Sequence, residues 1–162
     1  MFEILAFVYE NYDAGQSLPE TAHLEKKLSA LGFETDEIHE ALTWLRGLDC
    51  AAQPLLPLAS IEPWPVAPST NSMRIYTPKE QSHLGREGMG LIAFMEYAAD
   101  LPAPMREVVV ERAMAAPAAT GGSMALDDLK TILLLVYWRF GEELHTLMRD
   151  ELCDDTSDRV AH

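Results

Sequence analysis

Apolar positions recur at helical spacing along most of this chain. Ile4, Leu5, Val8 and Tyr12 share one face, with Phe2 and Phe7 beside it, which predicts a helix over residues 2–12. A turn at residues 13–17 follows, and Pro19 marks the next helix start. Leu24, Leu28 and Leu31 form its stripe, and Gly32 is placed to end it in the left-handed conformation. Thr35 is read as the cap of a third helix, with Asp36 and Glu37 against its positive end. Ile38, Ala41, Leu42, Leu45 and Leu48 make the buried stripe of that helix, with Trp44 at the edge. Residues 1–49 therefore read as a compact tri-helical unit.

Residues 50–71 break the pattern. Pro54, Pro57, Pro63, Pro65 and Pro68 argue against a helix, while Leu55, Leu56, Leu58, Ile61 and Trp64 make the stretch too apolar for a simple solvated linker. It is either an ordered loop over the core or one arm of a small β-hairpin with Met73–Tyr76. Residues 72–77 would then be a strand of a wing. A strong helix start follows: Thr77 caps, Pro78 suits the first helical position, and Glu80 closes a capping box. Tri-helical unit, hairpin, then helix is the order of a winged helix.

Residues 72–153 read as a second helical unit. From Pro78, the residues Leu84, Leu91, Ile92, Met95 and Ala98 point to the core, and Gly85, Gly88 and Gly90 predict a kink or break. Packing against a neighbouring helix is favoured for these glycines over a phosphate-cradling loop, since no strand precedes them and no lysine follows. Pro102 and Pro104 open a helix to about Ala116, with Met105, Val108, Val109 and Ala113 inward and Arg106, Glu107, Glu111 and Arg112 largely outward. Leu126–Phe140 is apolar almost all round and is read as the central helix, broken at Gly141. Leu144, Leu147, Met148 and Leu152 continue as an amphipathic piece, and residues 154–162 form a polar tail. The fold class is mostly α, with at most one small hairpin.

Composition narrows the function classes. The 162 residues carry a net charge of −14, and acids outnumber bases in every part: ten to three over residues 1–50, five to three over 51–100, eleven to six over 101–162. That balance argues against direct contact with nucleic acid, and against an anionic membrane surface. The longest apolar run, Ile132–Trp138, is too short to span a bilayer. Cys50 and Cys153 form neither a metal-ligand spacing nor a disulfide framework, and no leader-like pattern opens the chain, so a cytoplasmic setting is expected.

Candidate chemistry is sparse. His23, His39, His83, His145 and His162 read as surface histidines, with His39–Glu40 and His145–Glu142 the nearest pairings. No nucleophile elbow is present, and the adjacent acid pairs Asp127/Asp128, Glu142/Glu143 and Asp154/Asp155 diverge on a helix. No catalytic residue, cofactor or metal is assigned. The outward positions of the third helix include Asp36, Glu37, His39, Glu40, Thr43 and Arg46, and the three acids among them would repel phosphates.

Several stretches together resemble the bacterial Smg family. They are Met1–Leu5, Gly32-Phe33 with Ile38, Ala41-Leu42 and Trp44-Leu45, the joint Ser72–Pro78, Arg106-Glu107 with Val109, and Leu126 with Asp128–Lys130. The joint Ser-Met-Arg-Ile-Tyr-Thr-Pro is the most specific piece. The resemblance implies a small acidic cytoplasmic bacterial protein, often encoded beside DNA-processing genes, and implies no activity.

The expected role is a non-enzymatic interaction or adaptor protein with a protein partner, linked to DNA or RNA metabolism through that partner. Trp64, Arg74, Tyr76, Lys79 and Arg86 are the candidate partner-binding residues, Trp64 being the best candidate for exposure. The alternative is a winged-helix-like nucleic-acid-binding regulator using Arg74, Lys79 and Arg86, the only local basic cluster.

Overall fold

The computed structural model describes residues 1–15, 20–59, 74–98, 101–118 and 122–141, and these are mostly helical. Among the described residues seven helical segments occur in the order α1 (Phe2–Asn11), α2 (Thr21–Ala30), α3 (Thr35–Ala52), α4 (Leu56–Ala59), α5 (Pro78–Ala98), α6 (Ala103–Met114) and α7 (Leu126–Phe140). No strand occurs among the described residues.

Helix α7 is the axis of the packing. It touches α1, α3, α5 and α6, and it buries Leu129 and every residue from Ile132 to Phe140. Its all-round apolarity is what such a position demands. Buried residues of α1, α2, α3, α5, α6 and α7 belong to one apolar cluster. The stripe on α3 is buried as its spacing predicts, with Ala52 added at its end.

Local rules account for several boundaries. Helix α2 closes in a Schellman arrangement: Gly32 takes φ +94°, the Phe33 N–H donates to the Leu28 carbonyl at 3.3 Å, and the Gly32 N–H donates to the Ser29 carbonyl at 3.1 Å. Helix α7 ends where Gly141 takes φ +70°. The capping box is present: the Thr77 N–H donates to Glu80 Oε2 at 2.7 Å, and the Glu80 N–H donates to Thr77 Oγ1 at 3.3 Å.

Other boundaries differ from the sequence reading. Thr35 is not the cap of α3 but its first helical residue, after Glu34, whose side chain makes no capping bond. Asp36 and Glu37 in the first turn still complement the positive end. Helix α3 runs on to Ala52, and α4 forms despite Pro57. Pro57 lies in the first turn, where the missing N–H would have had no helical partner. Arg74–Thr77, the described part of the expected wing strand, is neither helix nor strand. Arg74 engages Glu80 of α5 and Glu107 of α6, and Thr77 engages Glu80. The segments 60–73 and 142–162, which include the proposed hairpin arm, Trp64 and the amphipathic C-terminal piece, lie outside the described residues.

The glycine break in α5 is sharper than a kink. Gly85 has φ +68° and ψ 175° inside the element. Before it, the chain runs alongside α6: Glu80 and Glu107 share Arg74, and His83 bonds the Ala113 carbonyl at 2.9 Å. After it, Glu96 pairs with Arg106, near the start of α6. The two arms thus run in opposite directions along the same neighbour. Close packing is also found where the glycines permit it, since a methyl on Gly88 would lie 3.1 Å from Leu129 Cδ2 of α7.

Candidate functional site

Two groupings of polar side chains stand out, and the first lies at the joint. Arg74 makes two forked contacts. Its Nε and Nη2 donate to Glu107 at 2.9 and 3.0 Å, and its Nη1 and Nη2 donate to Glu80 at 3.2 and 2.9 Å. Arg106 joins the same network, with Nη2 donating to Glu107 at 2.8 Å and Nη1 to Glu96. The Arg74 guanidinium also lies 4.5 Å from the centre of the Tyr76 ring.

These contacts shift the titrations. Hydrogen bonding from Arg74, then from the Thr77 backbone N–H, holds the Glu80 carboxyl down at about 2. For Glu107, burial pushes upward, but hydrogen bonds from Arg74 and Arg106 outweigh it and the net direction is down. The Arg74 guanidinium is held still more firmly protonated, chiefly by the Glu80 hydrogen bond. Burial raises the Tyr76 phenol.

The expected basic cluster does not assemble as a free cationic surface. Arg74 is enclosed by carboxylates, and Tyr76 is half-buried beneath it. Lys79 and Arg86 are exposed, on opposite sides of the Gly85 reversal. Trp64 lies outside the described residues. Close to this network in sequence, Ile75 is 88% exposed and Tyr97 91% exposed.

The second grouping is a cleft of about 660 Å³ between α3 and α6, lined in part by Asp36, Glu37, Glu40, Trp44, Arg112 and Ala115. Trp44 forms its floor at 4% exposure, its indole N–H donating to the Arg112 carbonyl at 3.0 Å. The Arg112 side chain, 11% exposed, folds back over α3, and a methyl on Gly47 would fall 1.8 Å from its Nη1. Glycine at position 47 is what lets the guanidinium lie there.

The outward acids of α3 were legible from their spacing. The cleft was not, because Arg112 was read as largely outward and Ala115 as part of a helix end. Arg106 and Arg112 are instead mostly covered, with side chains 12% and 11% exposed. His83 likewise departs from the surface reading. It is half-buried, its Nε2–H meets the Ala113 carbonyl, and its own carbonyl accepts the Met124 N–H at 2.7 Å. His23 and His39 are exposed as expected. Among the described residues no cluster of His, Cys, Asp or Glu is placed to hold a metal ion, and no helix is long and apolar enough to cross a membrane.

Comparison with known proteins places the chain. All of residues 1–162 match the family described as "Protein of unknown function (DUF494)". The chain belongs to the DUF494 family. It is 45% identical over 162 residues to the Protein Smg homolog of Methylibium petroleiphilum and 46% identical to that of Leptothrix cholodnii, with 100% of each chain covered. The Protein Smg homolog of Bordetella petrii is 42% identical over the same full length. No solved structure matches. The Smg resemblance of the sequence is therefore a family relationship over the whole chain. DUF494 membership assigns no chemistry to any residue. The joint that carries the resemblance has a structural job here: Thr77 and Pro78 start a helix, and Arg74 and Tyr76 fasten it to α6 through Glu107.

Proposed function

We propose that this DUF494 member is a non-enzymatic, cytoplasmic interaction protein that works by holding a protein partner. The outward face of α3 carries the reading. It presents Asp36, Glu37 and Glu40 beside a cleft floored by Trp44, a surface that repels phosphates and suits a protein. The exposed Ile75 and Tyr97 are further apolar surface of the kind interfaces use.

The alternative, a winged-helix-like regulator of nucleic acid, asks for Arg74, Lys79 and Arg86 as one basic stripe. The enclosure of Arg74 by Glu80 and Glu107 weighs against it. An enzyme would need histidine and carboxylates converging from separate elements. In the cleft, His39 and its acids all come from α3, and His39 and Glu40 are sequence neighbours, which diverge on a helix.

The test is affinity capture of the protein tagged at its chromosomal level, with cross-linking and mass spectrometry, with and without nuclease. A near-stoichiometric, nuclease-resistant protein partner supports the reading. Capture of nucleic acid alone, or of nothing, sinks it.

A further inference from the structure

Of the glycines Gly85, Gly88 and Gly90 in α5, two are accounted for within the chain. Gly85 makes the reversal, and Gly88 meets Leu129 of α7. Gly90 has no such reason. It sits in regular helix, it is exposed, and a methyl on it would touch nothing within 4 Å. A glycine there weakens the helix relative to alanine and gains nothing inside the molecule. Its remaining use is to let a group from outside come close to the backbone.

The rest of the same face says which group. On the arm beyond Gly85, the exposed positions after Arg86 and Glu87 are Gly90, Ala93, Phe94, Tyr97 and Ala98. They recur at three- and four-residue spacing, so they form one stripe, and none is charged. Phe94 is 46% exposed and Tyr97 almost wholly so. Small residues lead the stripe and the rings follow. Such an order is complementary to its own reverse. In two antiparallel copies related by a two-fold axis between Ala93 and Phe94, each Tyr97 ring falls over the other copy's Gly90, and each Phe94 faces the other copy's Ala93.

We propose that this stripe is a self-association surface: two copies of the chain pair antiparallel through residues 86–98, each Tyr97 ring seated over the other copy's Gly90. Charge restricts the choice of face. With a net charge of −14, two copies repel over most approaches. The outward face of α3 would set Asp36, Glu37 and Glu40 against their own twins, whereas the α5 stripe has no charge at its centre. The two-fold arrangement uses the same patch on both copies and so closes the assembly at two. One helix pair is a small contact beside those of permanent dimers, which sets the association in the micromolar range. The pairing goes beyond the partner-holding reading and does not depend on it.

Sedimentation velocity of the full chain, from low to high micromolar concentration, reads the association directly, and amide chemical shifts over the same range locate it. A monomer–dimer equilibrium is expected, with shifts centred on residues 89–98. Gly90→Tyr fills the hole and Tyr97→Ala removes the ring, and each is expected to weaken pairing about tenfold or more. Both positions are exposed, and position 90 is open in the single chain, so circular dichroism is expected to show the fold retained. The exchange G90Y/Y97A brings ring and hole together again from opposite sides and is expected to pair better than either single variant. Ser29→Tyr, an equal ring on an exposed position of α2, is expected to change nothing. A chain that stays monomeric throughout, a dimer that tolerates both single variants, or an exchange variant no better than its parents would overturn the proposal.

Discussion

Gly15 and Gly141 meet backbone to backbone. A methyl on Gly15 would lie 3.3 Å from the Gly141 Cα, and both residues have positive φ, +73° and +70°. Around this contact the Gly15 N–H donates to the Trp138 carbonyl at 2.8 Å, and the Trp138 indole N–H donates to the Tyr12 carbonyl at 2.9 Å. The loop after α1 is thereby pinned to the end of α7. Gly15→Ala and Gly141→Ala each add strain at a left-handed position and crowd the facing glycine. Each is expected to lower stability by about 1–2 kcal/mol, read as a Tm fall of about 2–8 °C.

The Gly85 reversal predicts a contrast within one element. Gly85→Ala places a side chain at φ +68°, against Ser123 at 3.4 Å. Gly90→Ala adds a methyl in open space within regular helix. The first substitution is expected to destabilise by about 1–2 kcal/mol and the second to stabilise by about 0.5–1 kcal/mol. Urea midpoints of the two variants check the pair, and equal signs would contradict the left-handed backbone at Gly85 or the regular helix at Gly90.

Acid should weaken the joint. Glu80 has its pKa depressed from 4.5 to about 2 in the folded protein. A depressed carboxyl contributes stability that is present above its unfolded pKa and is lost as pH falls through the folded value. The window therefore runs from about 4.5 down to about 2, and Glu107, also depressed, acts in the same direction. Glu80→Gln is expected to be less stable than the wild type at neutral pH and to show a flatter pH dependence across that window. Parallel stability curves for the two proteins would contradict the Arg74 network.

Arg139 offers a double-mutant test. It is 7% exposed, and its Nε donates to Asp49 Oδ1 at 2.7 Å, tying α7 to α3. Asp49→Ala leaves a covered charge unpaired and is expected to destabilise by about 2–4 kcal/mol. Adding Arg139→Met removes that charge, so the double variant is expected to recover most of the loss. Chemical denaturation of all four proteins gives the coupling directly.

Much of the helical order was legible because its signals are local. Thr77 and Glu80 form a capping box within four positions, Gly32 and Gly141 end helices by backbone freedom, and the run from Ile132 to Phe140 declares burial on every face. What escaped depends on partners distant in sequence. Arg74 reads as an available cation until Glu107, 33 positions on, folds against it. Arg112 reads as solvated until Gly47 leaves room for its guanidinium. Gly85 announced a break, but the course of the chain beyond it depends on distant partners, with Ile92 and Met95 buried in the core and Glu96 paired with Arg106.

The fastening of α1 to α7 also bears on how the chain is made. Tyr12 and Trp138 are separated by 126 positions. At about 5–20 residues per second, roughly 6–25 s pass on the ribosome between their synthesis. During that time Ile4, Leu5 and Val8 have α3 to pack against but not α7. Part of the apolar face of α1 therefore stays uncovered on the nascent chain until α7 is made.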